Sequence, residues 1–79
     1  MGLKQTVAEN IRRLRLERGY TQKSLSELTE INRNHVGMIE RQECSPTIDI
    51  LEKIANALEV DPISLFEVET LLIAVSDTE

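Results

Sequence analysis

The side chains with the sharpest chemistry fall in one stretch, Arg33 to Ser45. Arg33 and Asn34 stand side by side. A guanidinium can grip guanine through two parallel hydrogen bonds, and a carboxamide can grip adenine in the same way. Met38 can press against a thymine methyl, or it can be an idle edge residue. Arg33 can also hold only a phosphate. A different chemistry is raised by Cys44 and His35, a thiol and an imidazole. A nucleophilic cysteine needs a group that lowers its pKa and donors that hold an oxyanion. No acid–base cluster accompanies Cys44, so it reads as an ordinary reduced loop cysteine. No catalytic residue is expected and the chain is not read as an enzyme. One Cys and one His cannot supply four zinc ligands. No metal and no cofactor are expected.

These side chains need a helix to present them. At about 100° per residue, a helix from Arg33 to about Arg41 divides in two. Val36 and Ile39 fall on one side. Arg33, Asn34 and Arg41 fall on the other, with Gly37 leaving room for a close approach. His35 sits at the edge of the apolar side, where it can touch a base or a phosphate or simply pack. Asn32 is the expected cap. Before it, Thr21 caps a short helix over Gln22 to Thr29, with Leu25 and Leu28 facing inward. Only two or three residues join the two segments. Such a joint makes two short helices cross at a large angle, the helix-turn-helix arrangement.

The rest of the chain supplies the scaffold. Val7, Ile11 and Leu14 form one apolar stripe on a first helix, from about Gln5 to Arg18, and Gly19 is its expected left-handed stop. Thr47 caps a fourth helix ending near Leu58, with Ile48, Leu51, Ile54, Ala55 and Leu58 inward. Pro46 keeps the third helix from continuing. Asp61-Pro62 is a cap followed by proline at the first helical position, and it opens a fifth helix running to Leu72 or Val75. The expected fold is all-α, five short helices in one domain over residues 1–79. Its core covers about residues 5–67, and the polar tail 76–79 frays.

Composition sets limits on function. The chain has 79 residues, room for one small core and no second domain. With 41% hydrophobic and 29% charged residues it reads as a globular protein that stays in water. Tyr20 and Phe66 are too few aromatics for a base-stacking platform. No apolar run approaches the ~20 residues that span a bilayer, and Met1 to Thr6 lacks the apolar core of a signal peptide. A single cysteine rules out an internal disulfide and fits a reducing cytosol, so a cytoplasmic location is expected. The net charge of −5 argues against phosphate at first. It hides a split. Residues 1–43 carry eight Lys/Arg against six Asp/Glu, a net of +2, and residues 44–79 carry one Lys against eight acids, a net of −7.

Taken together, Thr21 to Leu28, Ile31 to Arg41, Ser45-Pro46-Thr47, the spacing Leu51, Ile54, Ala55, Leu58, and Asp61-Pro62 with Leu65-Phe66 resemble the lambda/434 repressor-like (Cro/C1, XRE) helix-turn-helix family. The resemblance covers roughly residues 7 to 67 without a gap. It implies a lambda-repressor-like DNA-binding domain with the helix-turn-helix at helices 2 and 3. Arg33, Asn34, His35 and Met38 would face the bases. Gln22, at a helix start that favours phosphate, would touch the backbone. Lys23 and Asn32 would lie beside it, and Arg41, Gln42 and Ser45 would follow the backbone along the loop after helix 3. The family also commonly joins helix 1 to helix 3 by an ion pair, which falls here on Arg15 and Glu40.

The fifth segment carries more apolar residues than one face of a small domain buries. Ile63, Phe66, Val68, Leu71, Leu72 and Ile73, within the stretch 62–75, are read as a homodimer interface. A twofold dimer would set two recognition helices one turn of DNA apart on a pseudo-palindromic operator. Among family members, the Arg33-to-Met38 stretch and the apolar fifth segment most resemble the controller proteins of restriction–modification systems. The partners expected are double-stranded DNA, a second copy and, at a promoter, RNA polymerase. No membrane and no small-molecule effector is expected. A prophage-type repressor and an antitoxin-like protein-interaction module are the alternatives.

Overall fold

The computed structural model describes residues 2–68. Four α-helices follow one another: α1 (Leu3–Glu17), α2 (Gln22–Thr29), α3 (Arg33–Glu40) and α4 (Ile48–Leu58). A 3₁₀ helix over Pro62–Phe66 comes last, and there is no strand among the described residues. None of the described helices is long and apolar enough to cross a membrane.

Short polar side chains start each of the later helices. Thr21 Oγ1 accepts from the Ser24 backbone N–H at 3.0 Å, and Ser24 Oγ accepts in return from the Thr21 N–H at 2.8 Å. Asn32 Oδ1 accepts from the Asn34 N–H at 2.7 Å, and Thr47 Oγ1 from the Ile50 N–H at 3.1 Å. Each bond satisfies a donor that the helix itself leaves without a partner. Gly19 ends α1 at φ +74°. The joint between α2 and α3 turns on Glu30, a non-glycine residue held left-handed at φ 60°.

The core runs through every element. Val7, Ile11 and Leu14 of α1 meet Leu25 of α2, Ile31 of the joint, Val36 and Ile39 of α3, four residues of α4, and Leu65. The apolar stripe of α1 thus faces those of α3 and α4, and α1 packs against both α3 and the 3₁₀ helix.

Three expectations need correction. The fifth helix, as far as Phe66, is a five-residue 3₁₀ helix, and the α-helices among the described residues number four. Asp61 Oδ1 caps it as expected, accepting from the Ile63 N–H at 3.0 Å. It ends at Glu67, which is extended at ψ 141°, where Asn10 Nδ2, on α1, donates to the carbonyls of Leu65 and Glu67, both at 2.8 Å. Leu28 is not inward but 56% exposed, lining an open groove with Lys53 and Ala57. Ile48 is 82% exposed while Leu51 is buried. Its direction on the wheel is close to that of buried Ala55, seven residues on, but Ile48 is the first residue of α4. Leu71, Leu72 and Ile73, with the rest of residues 69–75 and the tail 76–79, lie outside the described residues.

Candidate nucleic-acid interface

Arg33 and Asn34 occupy the first turn of α3, and both are exposed. On the opposite side Val36 and Ile39 are each 1% exposed. The helix therefore presents its N-terminal polar residues outward while its apolar residues anchor it. Arg13, Arg15, Arg18 and Arg41 each engage a carboxylate. Among the described residues no ion pair engages Arg33. Met38, one turn further along, is also exposed, and His35 is half-buried at the edge of the helix.

Orientation of α3 is set by a buried carboxylate. Glu40 Oε2 accepts from Arg15 Nε at 2.7 Å, and Oε1 accepts from Arg15 Nη2 at 3.0 Å. The same Oε1 accepts from Gln22 Nε2 at 3.2 Å. Arg15 Nη1 donates to the Tyr20 carbonyl at 2.9 Å. Only 3% of the Glu40 side chain and 10% of the Arg15 side chain are exposed. One carboxylate thus ties α1, the start of α2 and the end of α3 together. A charge so buried tolerates burial because three donors reach it.

Gln22 consequently faces inward across α3 more than its helix-start position suggests. Gly37 lies beneath it. A Cβ on Gly37 would stand 2.8 Å from Arg41 Nη1 and 3.4 Å from Gln22 Oε1. The space the missing side chain leaves is thus filled by this chain's own Arg41 and Gln22, and Gly37 is buried under them.

Past α3 the chain turns sharply. Gln42 is left-handed at φ 64°, and the Glu43 N–H donates back to the Met38 carbonyl at 2.8 Å. Arg41 Nε and Nη2 then fork onto Glu43, at 2.9 and 3.3 Å. The hydrogen bond from Arg41 holds the Glu43 carboxyl below its usual range, and the pairing raises Arg41 above its own. Lys23, Asn32, Gln42 and Ser45 are exposed around the same end of the molecule's sequence motif. Cys44 is half-buried and packs against the core. Among the described residues no group of His, Cys, Asp and Glu is arranged to hold a metal ion. The face offers hydrogen-bond donors and positive charge with no clustered acid and base.

Two features escaped sequence reasoning. Glu43 carries no motif signal, and only the left-handed turn at Gln42 brings it onto Arg41. Gln22 as a third donor to Glu40 depends on how α2 crosses α3.

A family described as HTH_3: Helix-turn-helix matches residues 11–65. The immunity repressor protein of Bacillus phage phi105 is 34% identical over 67 residues, 85% of this chain and 46% of the repressor. The control protein C.SmaI of Serratia marcescens is 34% identical over 58 residues, 73% of this chain and 69% of that protein. The crystal structure of the restriction–modification controller protein C.AhdI from Aeromonas hydrophila superposes with a TM-score of 0.77 at 30% identity, covering 80% of this chain and 96% of that one. The chain spans less than half the length of the phage repressor it matches.

Proposed function

This chain belongs to the HTH_3 helix-turn-helix family of DNA-binding transcription regulators, and on that premise we propose that it acts as a homodimer on a pseudo-palindromic operator. Within the family, the likeness to C.SmaI and C.AhdI favours a controller protein of the restriction–modification kind. The observation that carries the reading is the free, exposed Arg33 beside Asn34 at the leading turn of a helix whose other side is locked to the scaffold. Arg33 and Asn34 read base edges, with His35 beside them and Met38 one turn behind. Lys23, Asn32, Gln42 and Ser45, with Arg41, follow the phosphates, and these contacts set register without sequence information.

Dimerisation rests on the C-terminal apolar residues. Ile63 is 67% and Phe66 40% exposed, and Val68 is half-covered. A second copy would bury them, together with Leu71, Leu72 and Ile73. RNA polymerase is the further partner such a promoter-bound dimer would meet. Two measurements on the full chain test the proposal. Sedimentation at tens of micromolar should give a dimer. Binding to a random duplex should weaken steeply as salt rises, by about one logarithmic unit of slope per phosphate neutralised. A monomer with no duplex binding at any salt would instead fit a protein-interaction module.

A further inference from the structure

Glu43 has no part in the face that is proposed to meet DNA, yet it occupies the hand of one of its cations. Arg41 closes α3, Gln42 reverses the chain, and the Glu43 N–H is pinned to the Met38 carbonyl at 2.8 Å. This turn lays the Glu43 carboxylate along the guanidinium, with contacts at 2.9 and 3.3 Å. Both side chains are more than half exposed, at 57% and 51%. Exposed ion pairs contribute little to stability, so the fold does not need this one.

Carboxylate and phosphate offer a guanidinium the same pair of oxygens, and Arg grips both with the same fork. The Nη1 corner of Arg41 lies over Gly37, on the face opposite the core. A phosphate that takes the same fork, Nε and Nη2, must displace Glu43, and one that approaches the Nη1 corner still meets the Glu43 charge beside it. The displaced carboxylate then stays on the adjacent residue pair, close to the phosphate that replaced it.

We propose that Glu43 is an internal stand-in for phosphate, which lowers the chain's affinity for DNA by competing for the Arg41 guanidinium. This rests on the DNA-binding reading above. It has a consequence for salt dependence. Glu43 stays close to Arg41 when DNA binds. The pair therefore brings less net positive charge to the phosphate and releases less of its condensed counterion, so the slope of affinity against salt is shallower than the phosphate contacts alone would give.

The test uses the full chain and a labelled random duplex of about 30 base pairs, with anisotropy titrations between about 50 and 200 mM salt. The proteins are wild type, Glu43→Gln, Arg41→Gln, the double variant, and Glu52→Gln as a control that removes an exposed acid on α4. Thermal unfolding of each checks that the fold is kept. Glu43→Gln should bind about fivefold tighter than wild type, with a salt slope steeper by about one unit. Against Arg41→Gln, the added Glu43→Gln change should gain no more than the Glu52→Gln control gains over wild type. If Glu43→Gln equals the control, or keeps its whole effect without Arg41, the stand-in role is overturned while DNA binding stands. If neither wild type nor Glu43→Gln binds the duplex at any salt, both readings fall together.

Discussion

Gln22, at the start of α2, donates its side-chain amide to Glu40, at the end of α3, across 3.2 Å. Arg15 reaches the same carboxylate oxygen at 3.0 Å from α1. The crossing of the two motif helices is therefore fixed by a polar clamp as well as by Leu25, Val36 and Ile39 in the core beneath it. The helix that would enter a groove is held from behind, and its leading turn stays free.

Removing the acceptor should damage the fold first. Glu40→Ala leaves the Arg15 guanidinium buried without its partner, a loss of about 3–5 kcal/mol. Urea unfolding followed by circular dichroism should show the midpoint fall accordingly. Arg33→Ala, which removes an exposed and unpaired side chain, should leave the midpoint nearly where it was. An unchanged midpoint for Glu40→Ala would mean that the clamp does not hold α3.

Gly37→Ala should separate stability from binding. The new Cβ would stand 2.8 Å from Arg41 Nη1, so the exposed guanidinium must swing aside, at little cost to the fold. Alanine also favours a helix interior over glycine by about 1 kcal/mol. Thermal unfolding should therefore show equal or higher stability, while duplex affinity falls because Arg41 loses its pose. A variant both unfolded and non-binding would show that the crowding is not relieved by Arg41.

Much of this architecture is legible in the residues themselves. Thr21, Asn32 and Thr47 mark helix starts by short-range hydrogen bonds, and those bonds are present. The stripe Val7, Ile11, Leu14 and the group Leu51, Ile54, Ala55, Leu58 give a face directly, because helical period alone decides it. Leu28 and Ile48 fail for a different reason. Leu28 stands about 100° around the helix from Thr29, off the side that Leu25, Ser26 and Thr29 bury, so two leucines in eight residues mark the wrong face. Ile48 has the core direction but sits at the very start of α4. The end of the 3₁₀ helix was out of reach because the partner that meets it there, Asn10, lies 55 residues from Leu65. At the candidate site, exposure of Arg33 and Asn34 follows from the same period that buries Val36 and Ile39. The Arg41–Glu43 fork does not, since it needs a left-handed glutamine that no local preference announces.

Asn10 governs how the chain leaves the domain. Its amide nitrogen serves two carbonyls, Leu65 and Glu67, at 2.8 Å each. Asn10→Leu is expected to destabilise by about 1–3 kcal/mol, because a buried acceptor loses its donor. Limited proteolysis should then cut sooner after Phe66 than in wild type. Equal stability and an unchanged digestion pattern would show that the 3₁₀ helix is held by Leu65 packing alone.

The Glu43 carboxyl should titrate below the ordinary glutamate value of about 4.3. Its hydrogen bond from Arg41 favours the charged form. Whatever the pair adds to the fold is present above that ordinary value and disappears as pH falls through the lowered one. Carbon-13 NMR of the side-chain carboxyl should give the low value in wild type and the ordinary value in Arg41→Ala. The same value in both proteins would mean that the fork is not populated in solution.

Footprinting of the region upstream of the chain's own gene tests the central claim most directly. Wild type should protect two half-sites whose centres lie one helical turn, about 34 Å, apart. Arg33→Ala should lose discrimination at one base position in each half-site, by about 1–3 kcal/mol, without losing the footprint's symmetry. Protection of a single unpaired site, or none at any protein concentration, would contradict a dimer that reads DNA through α3.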